Sequence, residues 1–167
     1  FIGKLMSEYN YKNCQSLFGY SAEVHVRCKG VCQLCGCGGS LDFDLWRQMT
    51  VEHLIGKSQG GYLKQIKTEI ESKFPSLTFA ESNSLAKKID ALNTVTACQF
   101  CNSTTSRESS QISMSDLIIN GKSPADVLKS VEATCLDILE QKRAKVEWKL
   151  ASVRKAFEKH VVPKIGK

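Results

Sequence analysis

Two Cys-x-x-Cys pairs, Cys32/Cys35 and Cys98/Cys101, restrict this chain more than any other feature it has. Two thiolates separated by two residues can grip one ion from a tight turn. A second such turn brought alongside completes a tetrahedral set of four sulfurs, which makes zinc the first expectation. Any fold that uses the site must close everything between the pairs into a loop. Gly36, directly after Cys35, fits a knuckle turn because glycine accepts the positive φ that lets amides point back at the sulfurs. Buried free cysteines are the competing explanation, but these rarely come as two matched pairs. Cys28 and Cys37 flank the first turn as rival ligands, and Cys14 and Cys135 stand outside both pairs. Cys32 and Cys35 rank first because only they repeat the spacing of the second pair.

Eight cysteines in 167 residues would suggest disulfides in a secreted protein. Here they accompany a lysine-rich chain with no secretory signal and no apolar stretch of membrane-spanning length, so a reducing, intracellular compartment and no membrane partner are expected. The chain opens on Phe1 rather than Met. An upstream segment is therefore expected, and nucleus and organelle both stay open as locations. The length allows one moderate core, and a net charge of +6 favours a polyanionic partner.

The expected class is α+β, mostly helical, in three segments. Residues 1–30 form an N-terminal accessory segment carrying Tyr9, Tyr11, Phe18 and Tyr20, with Ala22 to Cys28 readable as helix or strand. Residues 31–120 form the core. Within it Leu41 to Trp46 alternates like a half-buried strand, and Met49 to His53 reads as a second strand ending at the histidine. A helical insertion at about 62–92 follows, since Leu63, Ile66, Ile70 and Phe74, then Leu85, Ile89 and Leu92, recur at helical spacing on either side of Pro75. Thr94 to Ala97 is β-prone, and a helix is expected to start in the polar stretch from Asn102. Residues 121–167 form a long basic amphipathic helix. Ser123 caps it, Pro124 occupies its first turn, and an apolar stripe runs from Leu128 through Val146 and Leu150 to Val153 and Phe157. Such a stripe packs across the domain or pairs with a second copy, making a homodimer through this helix a candidate assembly.

The chemistry lies between and just after the cysteine turns. His53 titrates near neutrality, Glu52 beside it offers a hard oxygen ligand, and Asn102 follows the last cysteine with a second oxygen. An imidazole, a carboxylate and an amide converging in one basic cleft suit metal-assisted hydrolysis of a phosphodiester. The rival explanation is a structural histidine in a zinc domain. His25 and His160 are read as structural or surface residues.

Cys32-Gln33-Leu34-Cys35-Gly36, Glu52-His53-Leu54-Ile55, Ser58-Gln59-Gly60-Gly61, Asn93-Thr94-Val95 and Cys98-Gln99-Phe100-Cys101-Asn102 occur in that order. Together they resemble the signature of HNH endonucleases, from Cys32 to Asn102. The resemblance implies a ββα-metal core on a four-cysteine zinc site of the zinc-ribbon or treble-clef subset, formed by Cys32, Cys35, Cys98 and Cys101. It implies His53 as general base, Asn93 as the middle residue that braces the loop, and Glu52 and Asn102 as ligands of one catalytic Mg²⁺ or Mn²⁺. The implied reaction is hydrolysis of double-stranded or branched DNA to 5′-phosphate and 3′-hydroxyl ends. Lys57, Arg107, Lys142, Arg143 and Lys149 are the candidate nucleic-acid contacts. Glu52 stands where the family commonly has Asp, Gly56 where Pro is usual, and the stretch from Gly61 to Asn93 is far longer than the family's. Two alternatives accompany this reading: a catalytically silent zinc module that binds nucleic acid or a protein partner, and an RNA-directed nuclease.

Overall fold

The computed structural model of the chain describes residues 19–56, 62–105 and 112–166. The fold is α+β and mostly helical, with one two-stranded sheet and a cysteine cluster. The expected accessory aromatics Tyr9, Tyr11 and Phe18 lie outside the described residues, as do Lys57, the Ser58 to Gly61 turn and Arg107.

The sheet follows from β-prone sequence on both sides of the insertion. Strand β1 (Met49–His53) pairs antiparallel with β2 (Thr94–Cys98), in a register that sets Thr50 against Ala97 and His53 against Thr94. Helix α5 (Gln99–Thr105) continues directly from β2, so it begins three residues before the expected polar start. Its first turn carries Cys101 and Asn102. The chain thereby forms a strand–strand–helix unit whose two halves are separated by the insertion.

That insertion is the expected helix pair, α3 (Tyr62–Lys73) and α4 (Phe79–Asn93). Thr78 caps α4 in a reciprocal box, accepting from the Glu81 amide at 3.2 Å while the Glu81 carboxylate accepts from the Thr78 amide at 2.7 Å. Ile66, Ile70, Leu85 and Ile89 are buried, as the spacing predicts. They meet Ile118 of α6 (Met114–Asn120), a helix with no clear forerunner in the sequence pattern, and Val127 and Val131 of α7 (Pro124–His160).

One expectation about elements is corrected. Leu41 to Trp46 is not a strand: Asp42 accepts from the amides of Asp44 and Leu45 and starts the short helix α2 (Phe43–Trp46). Local capping by an Asp side chain outcompetes the alternation there, and among the described residues neither strand pairs with this stretch. The stripe of α7 is only partly core. Val127, Val131, Cys135, Leu139 and Val146 are buried, whereas Val153 and Phe157 are about half exposed. A helix of 37 residues is about 55 Å long. A further short helix, α8 (Val162–Ile165), ends the described chain. Among the described residues no helix is long and apolar enough to cross a membrane.

The ambiguous Ala22 to Cys28 stretch is helical, within α1 (Gly19–Arg27). It packs on the sheet through His25, whose Nδ1 lies 2.7 Å from Thr96 Oγ1 and whose ring meets Trp46 edge-on. His25 is thus structural, and burial depresses its pKa.

Candidate metal centre and the strand–strand–helix face

The first cysteine turn forms as the spacing predicts. The Gly36 amide donates to the Cys32 carbonyl at 2.8 Å, with Gly36 at φ +80°. An antiparallel bridge between Val31 and Gly38 closes the loop, and a Cβ on Gly38 would stand 2.5 Å from the Gly30 carbonyl oxygen, so only glycine fits. The Gln33 amide donates to the Thr96 carbonyl at 2.8 Å and docks the turn on β2.

The docking brings Cys35 Sγ to 3.9 Å from Cys98 Sγ. A tetrahedral zinc with bonds of about 2.3 Å requires sulfurs about 3.8 Å apart. This pair already stands at the spacing the ion needs. The sulfurs of Cys32, Cys35, Cys37 and Cys98 all lie within 4.8 Å of one another, a cluster that can hold a metal ion such as zinc. Cys37, ranked in the sequence as a rival, is thus inside the group. Cys101, expected from the spacing as the fourth ligand, is fully buried and lies outside the group.

Acidities in the cluster follow from its construction. Burial raises the Cys32 thiol, but backbone amide bonds from Cys98, Cys35 and Leu34 outweigh it and bring the pKa down to about 7. Burial raises Cys37 and Cys101, and neighbouring thiols raise both further. One thiolate therefore forms readily and opposes the rest, the condition a dication relieves. No disulfide joins the described cysteines.

Glu52 and His53 are consecutive in β1, and the pleat sends them to opposite faces. Glu52, 3 % exposed, forms an ion pair with Lys142 of α7. Burial pushes its carboxyl up, and Lys142 pulls against that. Asn102 lies on the same face as Thr50 and Glu52, donating from Nδ2 to Thr50 Oγ1 at 2.8 Å and to the Val51 carbonyl at 3.3 Å. Its Oδ1 meets no donor among the described residues. His53 leaves on the other face, 8 % exposed, with its ring edge-on to Tyr62 of α3 at 5.6 Å. Burial depresses its pKa, which keeps it neutral at neutral pH.

Asn93, expected in the catalytic set, braces the loop after His53. It is completely buried, its Oδ1 accepts from the Ile55 amide at 2.7 Å, and its Nδ2 donates to the Ile55 carbonyl at 2.9 Å. Tyr62 Oη completes the cage by donating to the same carbonyl at 2.9 Å. The loop leaving His53 is fixed by these bonds, and no substrate atom can reach the amide.

Three of the basic residues expected to meet nucleic acid also contact the protein itself, Lys142 and Lys149 half-buried and Arg143 exposed. Lys142 pairs with Glu52, Arg143 Nε donates to the Gln33 carbonyl at 2.6 Å, and Lys149 Nζ donates to the Thr104 carbonyl at 2.7 Å. These three contacts fasten α7 over the cysteine turn and α5. Nothing in local sequence signals them, because the partners are 45 to 110 residues away. A groove of about 410 Å³ remains between the cysteine turn and α7, lined by Leu34, Cys35, Arg143, Val146, Leu150 and Arg154 among others.

The Glu52–Lys142 pair carries a prediction of its own. Breaking a buried pair leaves an uncompensated charge, so Lys142→Ala is expected to lower unfolding free energy by about 3 to 5 kcal/mol at pH 7. Urea denaturation measures it, and the double variant Glu52→Gln/Lys142→Met should recover most of the loss. A single-variant effect under about 1 kcal/mol would mean the pair is screened like a surface bridge.

No family model matches the chain, and neither a curated protein nor a solved structure matches it.

Proposed function

We propose that this chain is a metal-dependent endonuclease of the HNH type that hydrolyses DNA, double-stranded or branched. The observation that supports the reading most is the union of Glu52 and Asn102 on one face of the strand–strand–helix unit, beside the cysteine cluster. In this reading the cluster is structural zinc, and Glu52 and Asn102 hold one Mg²⁺ or Mn²⁺. A divalent ion held by Glu52 and Asn102 would supply positive charge for the phosphorane and the departing 3′ oxygen. His53, neutral through burial, takes the proton from the attacking water, and Asn93 holds the loop that aims it. The net charge of +6 and the arginines of the groove beside the cysteine turn suit a phosphate backbone. A second copy would pack on the outer half of α7, where Val153 and Phe157 are exposed. An intracellular location, nucleus or organelle, suits a reduced thiol cluster and a nucleic-acid substrate.

A second reading, a catalytically silent zinc module, is favoured by one observation: Lys142 already neutralises Glu52, and Tyr62 covers His53. The nuclease requires both to yield to metal and substrate. The test is incubation of the purified chain with supercoiled, linear and branched DNA and with RNA, in Mg²⁺, Mn²⁺ or EDTA. Cleavage of DNA that needs the metal and is lost in Glu52→Gln is the expected result. Intact DNA that is nonetheless bound would establish the silent module, and cleavage confined to RNA would move the substrate.

A further inference from the structure

Five thiols compete for the four places of a tetrahedral ion. Cys32, Cys35 and Cys98 are common to the set the structure groups together and to the set the two Cys-x-x-Cys turns predict, and the two sets differ in the fourth sulfur. Cys37 comes from the exposed end of the first turn, within 4.8 Å of the other three. Cys101, the partner of Cys98 in the second Cys-x-x-Cys turn, lies outside that group, fully buried in the first turn of α5.

We propose that Cys37 and Cys101 are alternative fourth ligands of one zinc ion, giving an open set (Cys32, Cys35, Cys37, Cys98) and a closed set (Cys32, Cys35, Cys98, Cys101). Zinc has no geometric preference from its d electrons, so four thiolates at tetrahedral spacing satisfy it whichever side supplies the fourth. Exchange needs no redox step: one sulfur–zinc bond forms as another breaks, and the proton released by the incoming thiol passes to the outgoing thiolate. The exchange has a structural consequence. In the closed set the ion clamps the first turn of α5, which carries Asn102 to its bonds with Thr50 and Val51. In the open set α5 is tied to the ion only through Cys98, at the end of β2.

Cobalt titration of the metal-free chain tests this, because the visible spectrum of Co²⁺ distinguishes four thiolates from three. Cys37→Ser and Cys101→Ser are each expected to bind one equivalent with a four-thiolate spectrum. Cys37→Ser/Cys101→Ser is expected to lose that spectrum and bind at least about tenfold more weakly, since a thiolate is missing from the ligand set. A single variant that alone loses the four-thiolate spectrum would make that cysteine the sole fourth ligand and overturn the proposal. So would a double variant that keeps it. Because Cys101 is buried and its serine variant can fail to fold, cadmium NMR of the wild-type chain and Cys37→Ser provides an independent measurement. Different signals are expected, reflecting one ligand set against two, and identical signals overturn the proposal.

Discussion

Removing zinc with a strong chelator at pH 7 is expected to destabilise the strand–strand–helix unit by far more than any single substitution. Structural zinc binds peptides with apparent free energies of about 10 to 16 kcal/mol, comparable to the whole stability of a domain. Here the ion would join the turn at Cys32 and Cys35 to the end of β2 at Cys98, two elements otherwise connected by the Gln33–Thr96 backbone bond and packing. Without it, thiols that burial and one another's charge keep protonated face each other across the gap. Amide exchange should therefore rise first at Thr96, Ala97 and Cys101. The helices of the insertion and the first half of α7 should hold longer, since Ile66, Ile70, Leu85, Ile89, Ile118 and Val131 pack on one another. Metal content, thermal melting and hydrogen exchange measure this together. A chain whose melting is unchanged after verified removal of its zinc would show that the cluster is ordinary core.

His53→Ala is the second large effect. If His53 is the base, its loss should reduce the rate of DNA cleavage by about 10²- to 10⁴-fold, while DNA binding changes little. The same assignment fixes the sign of the pH dependence. Burial depresses the His53 pKa below 6.5, so the base stays active on mild acidification, and the acid limb of the rate profile lies below pH 6.5. The stability of the fold runs in the same direction. An unfolded chain takes up a proton at His53 before the folded chain does, so this contribution is complete above pH 6.5 and lost as pH falls towards the folded value. The Glu52 carboxyl, raised by burial, acts in the opposite sense, which is why the comparison is made between wild type and His53→Ala. An acid limb above pH 7, or cleavage unaffected in His53→Ala, would remove the histidine from the reaction.

Much of this architecture was legible because it rests on short-range rules. β-branched runs flanking the insertion gave strands, apolar residues at helical spacing gave α3 and α4, and Ser123-Pro124 marked the start of α7. The Gly36 turn and the bracing role of Asn93 were likewise readable, the first from backbone geometry and the second from the family resemblance. Leu41 to Trp46 failed because alternation cannot report whether a partner strand exists. Helix α6 escaped notice because seven residues carry too little periodicity to stand out.

By itself the sequence determined that two cysteine turns must meet around a site fit for zinc, and that Glu52, His53 and Asn102 sit at defined steps from those turns. Ligand spacing, strand propensity and chain order are local properties, and they survive in any fold that closes the loop. Only the tertiary structure decided what lies across from each side chain. It set Lys142 against Glu52 and Tyr62 against His53, turned Arg143 and Lys149 onto backbone carbonyls, and placed Cys37 rather than Cys101 within the cysteine cluster. Those contacts depend on how a 37-residue helix and an inserted helix pair pack onto a two-stranded sheet. Packing of that kind is a sum of weak, distant interactions that no spacing along the chain encodes.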